Sequence, residues 1–150
     1  MIDPRLLNER LRAINAGPLR GGYNMAKTPV RTPSIASLIC EAAGHLAVYG
    51  SLAPGEPNAW VLDGLTGTWI DGVVRGNLTR VGWGEGMGYP GIRWDPDGPP
   101  VSVQVFRSLD LPAAWPRIDE FEGVDYRRIL VPVAVDDGLL VANIYQVEAR

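Results

Sequence analysis

The sequence ILVPVAVDDGLLVANIYQV, residues 129–147, contains two apolar runs separated by a tight-turn signal. The first run alternates as a β-strand does up to Val135, and the second starts at Leu139. The intervening Asp136-Asp137-Gly138 contains Asp-Gly, which is typical of a hairpin turn. Pro132 has no backbone N–H to donate and indicates a sheet edge or a bulge. The stretch therefore predicts an antiparallel hairpin formed by the last two strands.

Shorter strand patterns precede this hairpin. Apolar or alternating residues predict strands at 46–49, 73–81 and 101–106, and glycines and prolines separate them. Helical patterns are few in this part of the chain, so the strands carry most of the predicted core. We expect an α+β domain with a small barrel-like sheet, mixed or antiparallel, flanked by short helices.

The first 44 residues differ from the rest. Asp3 and Pro4 predict the start of a helix that stops at Gly17, and a second helix is predicted from a cap at Thr32 to a stop at Gly44. Apolar residues recur at helical spacing in both segments: Leu7, Leu11 and Ile14 in the first, and Ile35, Leu38, Ile39 and Ala42 in the second. Such a stripe either covers its own domain or contacts a second subunit in a homodimer. We therefore expect an N-terminal helical extension, 1–44, and a domain, 45–150.

Composition narrows the function classes. With 150 residues, 46% of them hydrophobic, the chain is long enough to bury one globular core. A net charge of -3 without a basic cluster argues against nucleic acid or an anionic membrane as a partner. The single Cys40 and single His45 argue against a disulfide framework and a zinc site. Because neither a secretory leader nor an apolar run of about 20 residues is present, we expect a cytoplasmic protein without a membrane span.

The strongest candidate for catalysis lies in the sequence PRIDEFEG. Pro116 in the first turn and Gly123 past the end predict a helix over 116–122. Glu122 lies four residues after Ile118 and so shares its apolar face, in the last turn where the helix dipole disfavours negative charge. Both effects predict a raised pKa, which suits proton transfer near neutral pH. On these residues alone, a glutamate in water at the rim of a surface helix is the alternative.

Two glycine-containing stretches are candidate binding loops. Tyr49-Gly50-Ser51-Leu52 follows the first predicted strand, where backbone N–H groups beside a glycine can hold a carboxylate, although a plain turn fits equally. Residues 82–91 contain five glycines, and we interpret them as a pocket wall or lid with Trp83 and Tyr89 as apolar surfaces, a simple hairpin loop being the alternative. The last six of these residues match GxGxxG. Pro90 inside that motif and the lack of a following helix pattern argue against a dinucleotide site.

Other kinds of active site are disfavoured. Ser51 lacks the GxSxG pattern and would lie about 20 Å from His45 on an extended chain. Cys40 sits in an apolar run, where cysteine is more often a small core residue. Asp119 and Glu122 fall on one side of one helix, whereas the two carboxylates of a glycosidase flank the sugar.

Several short motifs follow one another between residues 45 and 147. They are Tyr49-Gly50-Ser51-Leu52, Pro54-Gly55-Glu56 with Asn58, Gly72-Val73-Val74-Arg75-Gly76-Asn77-Leu78, Gly88-Tyr89-Pro90-Gly91, Ile118-Asp119-Glu120-Phe121-Glu122-Gly123, Tyr126 with Arg128, and Ala142-Asn143-Ile144-Tyr145. In this order and spacing they resemble the gamma-glutamylcyclotransferase-like family. No single motif is specific, and the first 44 residues lie outside the resemblance.

The resemblance implies a barrel-like sheet and a cofactor-independent enzyme acting on a small gamma-glutamyl substrate. Such an enzyme cyclises the gamma-glutamyl group to 5-oxoproline and releases the attached amine or amino acid, whose identity stays open. Glu122 takes the place of the catalytic acid/base, and Ile118 replaces a more usual leucine of equal volume. The expected substrate-binding residues are Tyr49, Gly50, Ser51, Leu52, Tyr89 and Tyr126. A non-catalytic member of the same fold, serving as a small-ligand binder or interaction scaffold, is the alternative.

Arg128 and Tyr126 each have two interpretations. Arg128 either binds the carboxylate of the substrate or pairs with an acid such as Asp119, and the second role is more usual for an arginine just before a strand. Tyr126 either lines the pocket beside Glu122 or packs in the core with a satisfied hydroxyl. The family motif favours the pocket.

Overall fold

The computed structural model describes residues 2–17, 34–50, 52, 54–56, 58–81 and 89–148, with the backbone alone at 80, 81, 89 and 90. The α-helices are α1 Pro4–Asn15, α2 Ile35–Glu41 and α3 Leu111–Glu122, and two short 3₁₀ helices span Ala42–Gly44 and Ala59–Leu62. The strands are β1 His45–Val48, β2 Thr68–Val81, β3 Tyr89–Trp94, β4 Pro100–Arg107, β5 Tyr126–Val135 and β6 Gly138–Val147. The described helices are all too short or too polar to cross a lipid bilayer.

The six strands form one closed, mixed sheet. Its order is β1-β4-β2-β3-β6-β5, and further pairings of β1 with β6 and of β2 with β5 close it. β1 and β3 run parallel to β6, whereas the other neighbours are antiparallel. Inward-facing valine, isoleucine, leucine and alanine side chains of these strands fill the barrel. The predicted α+β fold with a barrel-like sheet and short flanking helices is thus confirmed.

The predicted C-terminal hairpin is β5–β6. Its register runs without interruption from Tyr126 opposite Val147 to Val135 opposite Gly138. Gly138 has a φ of 138°, which glycine adopts without the steric cost of a side chain. Pro132 lies opposite Val141, two residues before Ala134, where β5 pairs with β2 and closes the sheet, so the predicted sheet edge at Pro132 is not observed.

β2 and β3 differ most from the sequence prediction. β2 begins at Thr68 rather than at residue 73, and it pairs with β4 from its first residue. Residues 89–91, treated as the end of the lid loop, belong to β3, which pairs with the second half of β2. Pro90 and Gly91 punctuate this short strand and resemble loop signals, which is why the pattern failed there. The rest of the proposed lid, 82–88, lies outside the described residues.

Gly76 of β2 permits the close approach of β3. A Cβ at this position would lie 2.6 Å from the carbonyl oxygen of Arg93, a backbone atom that cannot yield without moving the strand. We expect Gly76→Ala to lower the free energy of unfolding by about 1–3 kcal/mol in urea denaturation. Ser102→Ala, at an exposed position of β4, should change it by less than about 0.5 kcal/mol. Equal stability of both variants would contradict this packing.

The two N-terminal helices begin with side-chain caps. α1 starts as predicted, and the Asp3 carboxylate accepts a hydrogen bond from the Arg5 backbone N–H at 2.9 Å. α2 starts after Ser34 rather than at Thr32, because Ser34 and Ser37 form a capping box in which each hydroxyl accepts from the other's backbone N–H. The sequence analysis overlooked this serine pair.

The apolar faces of α1 and α2 pack against β5 and β6. Their shared buried cluster consists of Leu7, Leu11, Leu38, Ile39, Ala42, Leu130 and Val141. The buried Asn15 fastens the end of α1, since its side-chain amide both donates to and accepts from the backbone of Leu130 at 2.8 Å. The described helices of the extension therefore cover their own barrel.

The helix that carries Glu122 is longer than predicted. α3 begins at Leu111, with Pro112 in its first turn, and Pro116 lies inside it. The prediction took the second proline for the helix start. The end is as predicted, since Gly123 follows with a φ of 81°. Buried apolar residues of α3, among them Ile118, pack in one cluster with β1 and the Ala59–Leu62 turn, which points the end of the helix towards the exit of β1.

Candidate active site

Glu122 lines a small cavity at the end of β1. The cavity has a volume of about 40 Å³ and is lined by Ala47, Val48, Tyr49, Gly50, Leu52, Glu122, Tyr126 and Tyr145. It brings together five of the residues that the sequence analysis named: Tyr49, Gly50, Leu52, Glu122 and Tyr126. The sixth and seventh, Ser51 and the side chain of Tyr89, lie outside the described residues.

The Glu122 carboxyl is only partly accessible to water. One turn earlier on the same helix face, Ile118 is fully buried, as its spacing predicts. Burial, followed by the negative charge of Asp119, raises the pKa of Glu122 to about 7. At neutral pH this side chain is therefore present both as a carboxylate, which accepts a proton, and as an acid, which donates one.

The hydroxyl of Tyr49 is engaged by the backbone. It donates to the carbonyl oxygen of Tyr145 at 2.7 Å and accepts from the N–H of Ile92 at 3.1 Å. These bonds connect the exit of β1 to β6 and β3. Burial also raises the pKa of the Tyr49 hydroxyl, which keeps its proton. The Tyr49 O–H is therefore hydrogen-bonded within the protein and does not donate to a ligand, whereas the Tyr49 ring lines the cavity.

Asp119 connects α3 to the barrel. Its Oδ1 accepts from the Arg128 Nε at 2.9 Å and from the Tyr145 hydroxyl at 2.6 Å. Arg128 also donates through Nη1 to Asn143 Oδ1 at 2.8 Å. Asn143 in turn donates to the carbonyl oxygen of Ala42 at 2.7 Å. The network therefore runs from the turn before Glu122 across β5 and β6 to the end of α2.

Arg128 is an internal partner of Asp119 in this arrangement. Its side chain is 15% exposed, and its guanidinium lies 4.4 Å from the ring centroid of Trp115 on α3. The Trp115 indole N–H is itself bonded to the carbonyl oxygen of Ala43 at 3.0 Å. Of the two roles open for Arg128, pairing with Asp119 is the one observed.

Tyr145 is a cavity residue that the sequence analysis did not single out. It is 5% exposed and follows Ile144 on β6, where the alternation of a strand gives no sign that its hydroxyl reaches a residue on α3. The only available signal was its place in the Ala142-Asn143-Ile144-Tyr145 motif. Asp119 was considered for a carboxylate pair and as the partner of Arg128, which is observed, but its bond to Tyr145 depends on long-range packing.

Metal ligands are not gathered at this cavity. Among the described residues, no three side chains of histidine, cysteine, aspartate or glutamate are placed to hold a metal ion. His45 lies at the other end of β1, is buried, and bonds the carbonyl oxygen of Val141 through Nδ1 at 2.9 Å. A wider cleft of about 710 Å³ opens around His45, but it lacks the partly buried acid that marks the cavity of Glu122.

Comparison with known proteins indicates the family of this chain. A family model described as gamma-glutamyl cyclotransferase, AIG2-like, matches residues 46–150. No curated protein matches the chain. The family match includes every residue of the cavity and of the Asp119 network except the end of α2.

Solved structures show the same fold. An AIG2-like protein from Mus musculus has a TM-score of 0.56 at 20% identity, over 71% of this chain and 78% of that one. YkqA from Bacillus subtilis has a TM-score of 0.55 at 23% identity, over 70% of this chain and 36% of that one, so this chain spans about a third of its length. A protein from Arabidopsis thaliana has a TM-score of 0.51 at 28% identity, over 69% and 61%. With the family model matched over more than half of its length, the chain belongs to the gamma-glutamyl cyclotransferase, AIG2-like family.

Proposed function

We propose that this protein cyclises a gamma-glutamyl group to 5-oxoproline and releases the attached amine or amino acid, with Glu122 as the general acid/base. The observation that carries the proposal is the partly buried Glu122, with a pKa of about 7, in one cavity with Tyr49, Gly50 and Tyr126. Membership of the family supports a cyclotransferase type of activity. The identity of the acid/base and of the products is our proposal.

The reaction needs proton transfer and one acyl transfer within the substrate. The Glu122 carboxylate takes a proton from the α-ammonium group, and the freed amine nitrogen attacks the γ-carbonyl carbon. A five-membered lactam forms as the bond from that carbon to the leaving nitrogen breaks, and protonated Glu122 gives its proton to the departing amine. The ring nitrogen loses its second proton to the regenerated Glu122 carboxylate, which passes it to the free amine or to solvent, so the lactam keeps one N–H. Because the nucleophile and the carbonyl belong to one molecule, the enzyme mainly has to hold a reactive geometry. No step requires a metal or an organic cofactor.

The loop after β1 would hold the acidic end of the substrate. Backbone N–H groups over residues 50–52 would bind the α-carboxylate or stabilise the developing oxyanion, since amides beside a glycine can approach an anion closely. Tyr126 would contribute to the wall next to Glu122, and Tyr89, at the start of β3, would close the pocket. The leaving amine would lie beyond the glutamyl end of the pocket.

The pH dependence of 5-oxoproline release tests the role of Glu122. Only the carboxylate form can accept the proton, and burial and Asp119 raise its pKa to about 7. We therefore expect kcat/KM to rise about tenfold per pH unit well below 7 and to level off above it. Initial rates with a gamma-glutamyl dipeptide between pH 5 and 9 measure this profile. A rate that is flat from pH 5 upwards would contradict a base with this pKa.

A further inference from the structure

Tyr145 lines the cavity but has no role in the proposed reaction. It is almost completely buried, it lines the cavity beside Glu122, and its hydroxyl reaches Asp119 at 2.6 Å. Its main-chain oxygen meanwhile holds the hydroxyl of Tyr49. The proposed reaction uses Glu122 and the loop after β1 but gives Tyr145 no task.

The direction of the bond between Tyr145 and Asp119 is fixed by charge. The Asp119 carboxylate is paired with the permanently charged Arg128 guanidinium, and a carboxylate can only accept hydrogen bonds. The Tyr145 O–H must therefore donate to Asp119. Burial, followed by this bond, raises the pKa of the Tyr145 hydroxyl, so the proton stays on the phenol throughout the neutral range.

A hydroxyl has one donor and two acceptor lone pairs. With its O–H bound to Asp119, Tyr145 can offer a ligand only acceptor lone pairs, on an oxygen that the carboxylate polarises further. Glu122 lines the same cavity as Tyr145. A substrate group lying between them meets two acceptors and is best matched by a cation with several N–H donors.

We infer that the Tyr145 hydroxyl binds the α-ammonium group of the gamma-glutamyl substrate as a hydrogen-bond acceptor, with Asp119 as the positioning residue that turns the O–H bond away from the ligand. This inference rests on the proposed function. It places the ammonium group beside Glu122, which is where the proton transfer requires it. It also assigns the two ends of the glutamyl group: the ammonium lies near Tyr145, and the carboxylate lies near Gly50 and Leu52.

The Tyr49 hydroxyl is likewise unable to donate a hydrogen bond to the substrate. Its O–H donates to the Tyr145 carbonyl oxygen, so neither of these two phenols can donate to an oxyanion on the γ-carbonyl. Donors to that oxygen would have to come from backbone N–H groups or from other side chains of the pocket. Of these two phenols, Tyr145 is therefore the one that we assign to a cationic ligand group.

A pair of inhibitors separates ammonium recognition from general binding. L-glutamine and glutaramate share the carboxylate, the chain and the γ-amide, and they differ in the α-amino group alone. Each is measured as a competitive inhibitor of 5-oxoproline release from an isotope-labelled gamma-glutamyl dipeptide. In Tyr145→Phe, the inhibition constant of L-glutamine should rise by about tenfold or more, as expected for a lost bond to a charged group, while that of glutaramate changes by less than about twofold.

Tyr49→Phe is the matched control. It removes the hydroxyl of another tyrosine that lines the same cavity, and this hydroxyl bonds only to the backbone. It should affect both inhibitors to the same extent and leave the ratio of their inhibition constants unchanged. NMR of the wild-type protein provides a second test. With tyrosine isotope-labelled at the ζ-carbon, the Tyr145 resonance should shift on saturation with L-glutamine and not with glutaramate.

The outcomes distinguish the inference from the proposed function. If the wild-type protein releases 5-oxoproline but the ratio of the two inhibition constants is the same in Tyr145→Phe, the assignment of Tyr145 is overturned and the proposed reaction stands. If the wild-type protein releases none from any substrate, the proposed function fails and the inference fails with it. A selective loss of L-glutamine inhibition supports both.

Discussion

Replacing Glu122 by glutamine should lower the turnover number for 5-oxoproline release by roughly 10²–10⁴-fold, the usual contribution of a general acid/base. The amide has nearly the shape of the carboxyl but can neither take the ammonium proton nor return it to the leaving amine. We expect KM to change little, because the amide oxygen still accepts a hydrogen bond. Steady-state kinetics with a gamma-glutamyl dipeptide give both values.

Glu120→Gln is the matched control on the same helix, since Glu120 is exposed. It should retain activity within about twofold. Equal losses in the two variants would mean that the catalytic carboxylate has been wrongly assigned, and wild-type activity in Glu122→Gln would refute the mechanism.

The stability of Glu122→Gln provides an independent check that its fold is intact. Burial and Asp119 raise the carboxyl pKa from 4.5 to about 7, so the folded state binds this proton more tightly than the unfolded state. The wild type therefore loses stability as the pH rises from 4.5 through 7, and the amide does not. The variant should be more stable than the wild type at pH 8, and this advantage should shrink towards pH 5.

Replacing Arg128 by methionine should lower the free energy of unfolding by roughly 2–4 kcal/mol. The change leaves Asp119 without its ion pair, leaves the buried Asn143 Oδ1 without its donor, and removes the guanidinium from the Trp115 ring. The methionine side chain retains most of the apolar volume. Urea denaturation measures the loss, and the slope of the transition checks that both proteins unfold in the same manner.

Arg93→Met serves as the control for removing a positive charge, because Arg93 is exposed on β3. It should change the free energy of unfolding by less than about 0.5 kcal/mol. If Arg128→Met were as stable as this control, the Asp119 network would not hold α3 against the barrel, and the orientation of Glu122 would need another explanation.

Short sequence patterns correctly predicted those helices and strands that are defined by neighbouring residues. The β5–β6 hairpin follows from two apolar runs around Asp137-Gly138, and α1 follows from Asp3 and Pro4. Prediction failed where two signals competed. Pro116 and Pro112 both suit a first turn, and only the packing of Leu111 shows that the earlier one begins α3.

The candidate site divides in the same way. Helical spacing placed Glu122 on the face of Ile118 and predicted its raised pKa, because burial of one face is a property of the helix itself. The bond between Tyr145 and Asp119 depends on the crossing of α3 over β6, which brings together residues 26 positions apart. No spacing within one element contains that information.

The proposed reaction is the cyclisation of a gamma-glutamyl group to 5-oxoproline. Purified protein incubated with gamma-glutamyl dipeptides and gamma-glutamyl amines, followed by mass spectrometry of every product, tests it most directly. We expect equal amounts of 5-oxoproline and free amine from at least one member of the panel, and roughly 10²–10⁴-fold slower release of both from Glu122→Gln. Free glutamate in place of 5-oxoproline would show hydrolysis instead of cyclisation and would contradict the account, as would the absence of both products throughout the panel.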